Sequence, residues 1–411
     1  MKHGVIGERL GHSFSKEIHE KLGRYKYELK EIAADNLEEF IRLRDFEGIN
    51  VTIPYKEAVI PLLDEVSELA AKVGAVNTVV NRGGKLSGYN TDVDGMKMLI
   101  KKLGVEMRGK TVIIAGSGGT SKTALQVAKE LGAGCIQRVS RSGKEGCINY
   151  EEAYAKYAKA DILINTTPAG MFPNVDEAVF DLDRFEKIEA VLDVVYNPLK
   201  SKLIMAAEDR GIPAEGGLYM LVVQALLAAG LFCGEEMNTE IIDGIYKEIL
   251  NEKRNIVLIG MPGSGKTTIG RVLADKLGKD FVDTDEAIVN EVGVEISEIF
   301  SEQGEKHFRD LESEIIRRES PYVGKVIATG GGSVLRKENV DRLRMNGVIV
   351  FLDRPLEELL PYADRPLSDN AEKMKMLYEE RMPIYESVAD VSVLTDGYGE
   401  AAADMVWSAL Q

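Results

Sequence analysis

The stretch IVLIGMPGSGKTTIGRVLADKLG at residues 256–278 leaves few choices of fold. A short apolar run stops at a glycine loop, and the loop passes straight into a helical pattern closed by Gly278. GMPGSGKT has the spacing G-x-x-x-x-G-K-T, in which a strand–loop–helix unit wraps phosphate oxygens with backbone N–H groups. Such a unit belongs to a parallel sheet, because its strand is followed by a crossover helix. Gly260, Gly263 and Gly265 keep the backbone open; Met261, Pro262 and Ser264 complete the loop, and Thr268 follows it. Lys266 is placed to reach the β and γ phosphates of ATP, and the Thr267 hydroxyl to ligate Mg2+.

The residues downstream bear on what the nucleotide is for. FVDTDEAI sets Asp283 and Asp285 two apart, on one side of an extended segment. One acid could orient Mg2+ while the other meets a substrate hydroxyl, or the pair could be a helix cap and a solvated acid. GEKHFRDLESEI puts Arg309 and Glu312 on one helix face, which also suits a surface ion pair. IATGGGSVL supplies Gly330, Gly331 and Gly332, where backbone can approach a bound molecule. ADRPLSD and EERMPIYESVAD add Arg365 and Arg381.

As a set, the phosphate loop, DTD, GEKHFRDLE, GGG, RPL and RMPIY resemble the shikimate kinase family over residues 256–411. The resemblance implies a kinase acting on shikimate with ATP and Mg2+. In it, Asp285 meets the hydroxyl that accepts the phosphoryl group, and Lys266 works at the phosphates. Arg309 and Arg381 pair with the substrate carboxylate, Asp283 and Thr267 support Mg2+, and the three glycines line the pocket. Arg365 belongs to the lid over ATP. LEELLPYADRPLSD is shorter than the family's lid and carries Ser368 where a leucine is usual.

A second glycine loop, GSGGTS, ends the apolar run TVIIA. Gly116, Ser117, Gly118, Gly119, Thr120 and Ser121 depart from G-x-G-x-x-G at the last position, and a plain loop is an alternative reading. CIQRVS, ADILINTTP and AVLDVVY follow as strands, and SKTALQVAKELG as a helix, a spacing that predicts βαβ units. About twenty residues beyond the loop, an NAD site would carry an acid for the ribose. QRVSRSGK places Ser140, Arg141, Ser142 and Lys144 there instead. Those groups suit a 2′-phosphate, hence NADP(H), or form a solvated polar turn. Before this loop, GVIG, YKYELKEI and FEGINVTIPY read as strands, LEEFIRLR and EAVIPLLDEV as helices. Loops among them carry Ser13 and Ser15, Thr52 and Lys56, Asn77, Asn90 and Asp92. Asparagine and aspartate in loops also serve simply as turn formers.

GHSFS, NVTIPYK, GAVNT, NTDVDG, NTTPAGM, DVVYNP and EGGLYMLVVQ together resemble the shikimate dehydrogenase family over residues 1–250. The resemblance assigns Ser13, Ser15, Thr52, Asn77, Asn90 and Gln224 to substrate binding and Lys56 and Asp92 to the catalytic pair. It puts Tyr196 and Gly217 at the cleft between substrate and cofactor, and Thr166 near the cofactor. Lys16, Glu20 and the SRS stretch depart from the family's usual residues.

The chain has 411 residues, enough for two or three domains. The expected division is a substrate-binding part at 1–105, with helices returning from about 218–250, an NADP-binding Rossmann-like part at 106–250, a charged linker at 251–255, and a phosphate-loop kinase at 256–411. All are of the α/β class. A net charge of −16 argues against a nucleic-acid partner, since no basic field exists to displace counterions. Cys135, Cys147 and Cys233 lack metal-ligand spacing, no apolar run reaches membrane length, and the start lacks a signal-peptide core. A cytoplasmic two-step enzyme is the expectation, with 3-dehydroshikimate and shikimate as small-molecule partners. The rival is a broad quinate/shikimate oxidoreductase joined to a ligand-sensing kinase-like module.

Overall fold

The apolar run TVIIA becomes the strand Thr111–Ala115, with all but its first residue buried. Burial on both faces is what a continuous apolar run demands of a parallel strand. The computed structural model describes residues 1–11, 13–143, 146–359, 370–395 and 399–411. Arg365 and Lys144 therefore lie outside the described residues, as does the RPL segment of the expected lid. The chain divides into two units, Met1–Leu250 and Asn251–Gln411.

The first unit holds two sheets. One has six strands in the order Glu28–Glu31, His3–Gly7, Gly48–Val51, Thr78–Arg82, Lys85–Tyr89 and Glu65–Val66. It is mixed, because Thr78–Arg82 runs antiparallel to both its neighbours. The other has five parallel strands, ordered Ala214–Glu215, Ala190–Asp193, Ile162–Asn165, Thr111–Ala115 and Cys135–Val139. After Thr111–Ala115 the chain goes to one side and then returns to the other. The glycine loop that leaves this strand thus stands where the strand order reverses, the usual ligand position of an open parallel sheet.

The helix Leu218–Cys233 has twelve of its sixteen residues buried. Its Phe232 lies so close over the first sheet that a Cβ on Gly48 would sit 2.3 Å from the ring. It also packs on the helix Asp92–Leu103, where a Cβ on Gly95 would meet the Met220 carbonyl at 3.0 Å. Among the described residues no helix is long and apolar enough to cross a membrane.

The second unit has one parallel sheet, ordered Asp280–Asp283, Lys325–Ala328, Asn255–Ile259, Gly347–Asp353 and Val391–Leu394. Asn255–Ile259 is buried throughout and central, and the strand order again reverses at its end.

One expected helix is absent from the structure. EAVIPLLDEV is a single 3-10 turn, Ile60–Leu62, followed by the short strand Glu65–Val66. Pro61 has no N–H to offer an α-helix interior and its ring crowds the preceding turn. At the expected linker the helix Ile242–Lys253 runs on to Lys253 and Asn255 already opens a strand. Glu252 and Lys253 are good helix formers, so charge alone does not break the element.

Candidate functional sites

In the first unit the Lys56 Nζ donates to Asp92 Oδ2 at 2.7 Å and to Thr120 Oγ1 at 3.2 Å. Both charged side chains are largely buried, at 14% and 7% exposure. Lys56 follows the strand Gly48–Val51, and Asp92 opens the helix Asp92–Leu103. Thr120 comes from the glycine loop at the reversal of the other sheet. A Cβ on Gly119 would sit 3.1 Å from Lys56 Cβ, so any larger residue there would press on the lysine.

Around this pair lies a buried amide–hydroxyl network. Asn77 donates to Thr91 Oγ1 at 2.9 Å and reaches Gln224 Oε1 at 3.5 Å. Its own Oδ1 accepts from Thr91 N at 2.8 Å and from Thr78 Oγ1 at 3.0 Å. Asn50 and Tyr27 extend the network at 3.1 and 2.6 Å. Ser13 and Ser15 are joined, Oγ to Oγ, at 3.1 Å. Tyr196 meets Ser13, and burial raises its phenol above the ordinary range. Thr52 packs its methyl against Gly7, where a Cβ would come within 2.6 Å.

The loop from Gly116 is a cradle that side chains would fill. Gly116 has φ +125, and a Cβ on it would lie 2.4 Å from Thr166 Oγ1. Ser121 Oγ donates back to the Gly116 carbonyl at 2.7 Å, closing the loop, while Ser117 and Gly118 are more open. The helix Gly119–Glu130 offers unsatisfied N–H groups at its start, as an anion requires. Ser140 Oγ is buried without a hydrogen-bond partner, and Arg141 and Ser142 are exposed just beyond the strand Cys135–Val139. A nucleotide phosphate fits this donor set. Gly217 is held tightly, since a Cβ there would lie 2.1 Å from the Val194 carbonyl oxygen.

In the second unit Gly260, Gly263 and Gly265 have φ of +146, +83 and +92. Side chains rarely adopt these values, which explains the glycines. Lys266 Nζ turns into the loop and donates to the carbonyls of Gly260 and Met261, both at 2.9 Å. Ser264 Oγ is buried without a hydrogen-bond partner, and Thr268 is exposed. Thr267 Oγ1 donates to Asp283 Oδ2 at 2.6 Å. The other oxygen of Asp283 caps the helix Thr284–Val292, accepting from Asp285 N and Glu286 N at 2.9 and 3.2 Å. One hydroxyl and one carboxylate oxygen, both hard donors, fit Mg2+.

The triple glycine forms the floor of a charged pocket. A Cβ on Gly330 would lie 2.3 Å from Glu312 Oε1 and 2.6 Å from Asp285 Oδ1. A Cβ on Gly331 would lie 3.2 Å from both Arg381 Nη1 and Pro262 Cδ of the phosphate loop. A Cβ on Gly332 would overlap the Arg309 guanidinium at 2.2 Å. Arg309 pairs with fully buried Glu312 at 2.9 Å, and Glu312 also accepts from Ser333 Oγ at 2.6 Å. Tyr385 donates to the Gly331 carbonyl, and burial pushes its phenol up to about 12, against the neighbouring arginines.

A shikimate dehydrogenase (NADP(+)) of Clostridium perfringens is 36% identical over 267 residues, covering 60% of this chain and 97% of the relative. The chain belongs to the shikimate dehydrogenase family. The family model of the shikimate dehydrogenase substrate binding domain matches residues 5–79, and that of shikimate kinase matches residues 262–411. A shikimate dehydrogenase-family segment is thus fused to a shikimate kinase-family segment. The crystal structure of shikimate dehydrogenase 1 from Peptoclostridium difficile has 33% identity and a TM-score of 0.57, over 61% of this chain and 98% of that one. The enzyme from Thermus thermophilus, solved in complex with NADP(H) and shikimate, has 28% identity and a TM-score of 0.53, over 60% and 99%.

Asn90 turns inward, donating to the Ala75 carbonyl at 2.9 Å and accepting from Val93 N at 3.2 Å. Its neighbour Thr91, which the sequence reading passed over, is the partner of Asn77. In the kinase segment the passed-over residues are Thr284, Ser333 and Tyr385. Tyr385 follows Arg381 by one helical turn, a spacing that could have revealed it.

Proposed function

We propose that the dehydrogenase segment reduces 3-dehydroshikimate to shikimate with NADPH and that the kinase segment phosphorylates shikimate on its 3-hydroxyl with ATP and Mg2+. The Lys56–Asp92 pair in contact with Thr120 carries the reading, because it joins the polar substrate network to the cofactor loop. NADPH supplies a hydride to the ketone carbon, and Lys56 gives or relays the proton that the resulting alkoxide takes up. Ser13 and Ser15 take the ring carboxylate, with Tyr196 beside them. Asn77, Asn90, Thr52 and Gln224 take the hydroxyls. Residues 1–105 with the helices from about 218–250 hold substrate, and residues 106–250 hold NADP(H), with Arg141 at the 2′-phosphate.

In the phosphate-loop kinase, ATP supplies the phosphoryl group and Mg2+ offsets its charge. Arg309 and Arg381 hold the substrate carboxylate, and Asp285 accepts the proton of the attacking hydroxyl. Thr267 and Asp283 hold Mg2+, while Lys266 exchanges two carbonyls for phosphate oxygens. A coupled assay of the full chain with 3-dehydroshikimate, NADPH and ATP–Mg2+ tests both steps. Mass detection should find shikimate 3-phosphate. Accumulated shikimate with no phosphorylated product would sink the second step, and no shikimate would sink the first.

A further inference from the structure

The chain crosses from the six-stranded to the five-stranded sheet after the helix Asp92–Leu103, and returns after the strand Ala214–Glu215. One ion pair ties these crossings together. Lys102, at the end of the helix, meets Glu215, at the end of the strand, at 2.6 Å. The Lys102 ammonium also lies over two rings, 5.4 Å from the centroid of Tyr219 and 5.1 Å from that of Tyr246. The two rings meet edge to face at 5.2 Å. Tyr246 OH reaches Glu215 at 3.4 Å, and Tyr219 OH donates to Asp243 at 3.0 Å.

Lys102, Tyr219, Asp243 and Tyr246 line, with Met98, a cleft of about 450 Å³ that Lys101 and Lys247 complete at the rim. That volume suits a small organic ligand. Both rim lysines are exposed, and neither has an ion-pair partner among the described residues. Glu215 offsets Lys102, and Asp243, which keeps its charge while accepting from Tyr219, offsets one of the two rim lysines and leaves the other. In a chain of net charge −16, this leaves a local excess of positive field beside an aromatic wall.

We propose that this cleft binds a small carboxylate carried on a planar ring, and that binding is coupled to movement between the two sheets of the dehydrogenase segment. The carboxylate meets Lys101 and Lys247, and the ring lies along Tyr246. An anion here also competes with Glu215 for Lys102, which loosens the tie across the crossings. The helix ending at Lys102 begins with Asp92, and the helix that follows Glu215 carries Gln224. A change at the tie is therefore transmitted to both sides of the substrate network.

The test uses the full chain and 4-hydroxybenzoate as the probe. Calorimetry should show saturable binding at or below the millimolar range, about −4 kcal/mol or stronger. The double variant Lys101→Ala/Lys247→Ala should weaken that binding ~10-fold or more while keeping the dehydrogenase turnover seen without probe. Ser13→Ala should leave the calorimetric binding unchanged. The probe should shift the KM for 3-dehydroshikimate in the unmodified chain and not in the double variant. Lys102→Met should shift that KM without any probe. No saturable heat, or heat lost in Ser13→Ala and kept in the double variant, overturns the site. Binding with no KM shift in either case overturns the coupling. Because heat is read without turnover, these outcomes stay separate from failure of the assigned dehydrogenase activity.

Discussion

Lys56 is held from two directions, by a carboxylate at 2.7 Å and by a hydroxyl at the glycine loop at 3.2 Å. Lys56→Ala should lower dehydrogenase kcat by ~10²-fold or more and leave the kinase rate of the same protein unchanged. Near-normal kcat in steady-state assays would remove the lysine from the reaction. Two other buried groups affect stability in opposite senses. His19 stacks on Tyr27 at 3.9 Å, is fully buried, and is pushed down to about 3 by burial. Its native state resists protonation, so its contribution is intact above the ordinary value near 6.5 and is lost as pH falls towards 3. Asp193 is fully buried and raised to about 7, again by burial. Its native state favours the proton, so its contribution is intact below the ordinary value near 3.8 and is lost as pH rises through 7. Between about pH 4 and 6.5 the two slopes oppose each other, each approaching about 1.4 kcal/mol per pH unit. Relative to the unmodified chain, His19→Gln should gain stability as pH falls across this window, and Asp193→Asn should gain as pH rises. Denaturant melts at several pH values measure both, and parallel curves would refute the assignments. The Lys56–Asp92 pairing was legible in sequence only through the family resemblance. The Asp193 cluster was not legible at all. Val195 N and Ser201 follow Asp193 closely in the chain, but Asn165 meets it only through the pairing of neighbouring strands.

At the scale of elements, short apolar runs bounded by glycine loops were readable because strands buried on both faces admit few polar residues. The residues at 57–66 were misread because the apolar spacing mimics a helix while Pro61 forbids one. The glycines differ in a way that spacing does not disclose. At Gly217 an added Cβ meets backbone, the Val194 carbonyl, at 2.1 Å. At Gly332 it meets the far end of the Arg309 side chain. A carbonyl in a sheet connection gives way only with its strand, whereas a guanidinium can swing aside. Gly217→Ala should therefore destabilise the dehydrogenase segment by ~1–3 kcal/mol. Gly332→Ala should raise the KM for shikimate, because Arg309 is displaced from its place beside Glu312, and should also lower the kinase segment's melting, because buried Glu312 loses its charged partner. Its KM for ATP should stay put. A large loss of stability in Gly332→Ala with unaltered KM would show that Arg309 is structural.

At the scale of the whole molecule, the join carries structure. Lys279 Nζ donates to the carbonyls of Asn251, Glu252 and Arg254 at 2.9, 2.7 and 2.9 Å. Asn255 binds the Tyr322 carbonyl at 2.7 Å and Lys325 N at 2.8 Å. A fragment of residues 251–411 should fold and phosphorylate shikimate, while one of residues 256–411 should melt lower, since Lys279 loses its three acceptors. Equal melting would show that these contacts contribute nothing. Fusion also raises the matter of whether shikimate passes directly from one segment to the other. The product is an anion, and a chain of net charge −16 repels rather than guides it. Its two expected binding sets also differ, hydroxyls in one segment and arginines in the other, so release from the first need not depend on capture by the second. Free release is the expected outcome, with fusion fixing a one-to-one ratio of the two activities. Labelled 3-dehydroshikimate, run with excess unlabelled shikimate, distinguishes the cases. Under free release the label enters the phosphorylated product only as fast as it enters the shared pool, after a lag. Label in the product above its share of the pool from the first turnover, with no lag, would mean direct transfer, and the electrostatic argument would then be wrong.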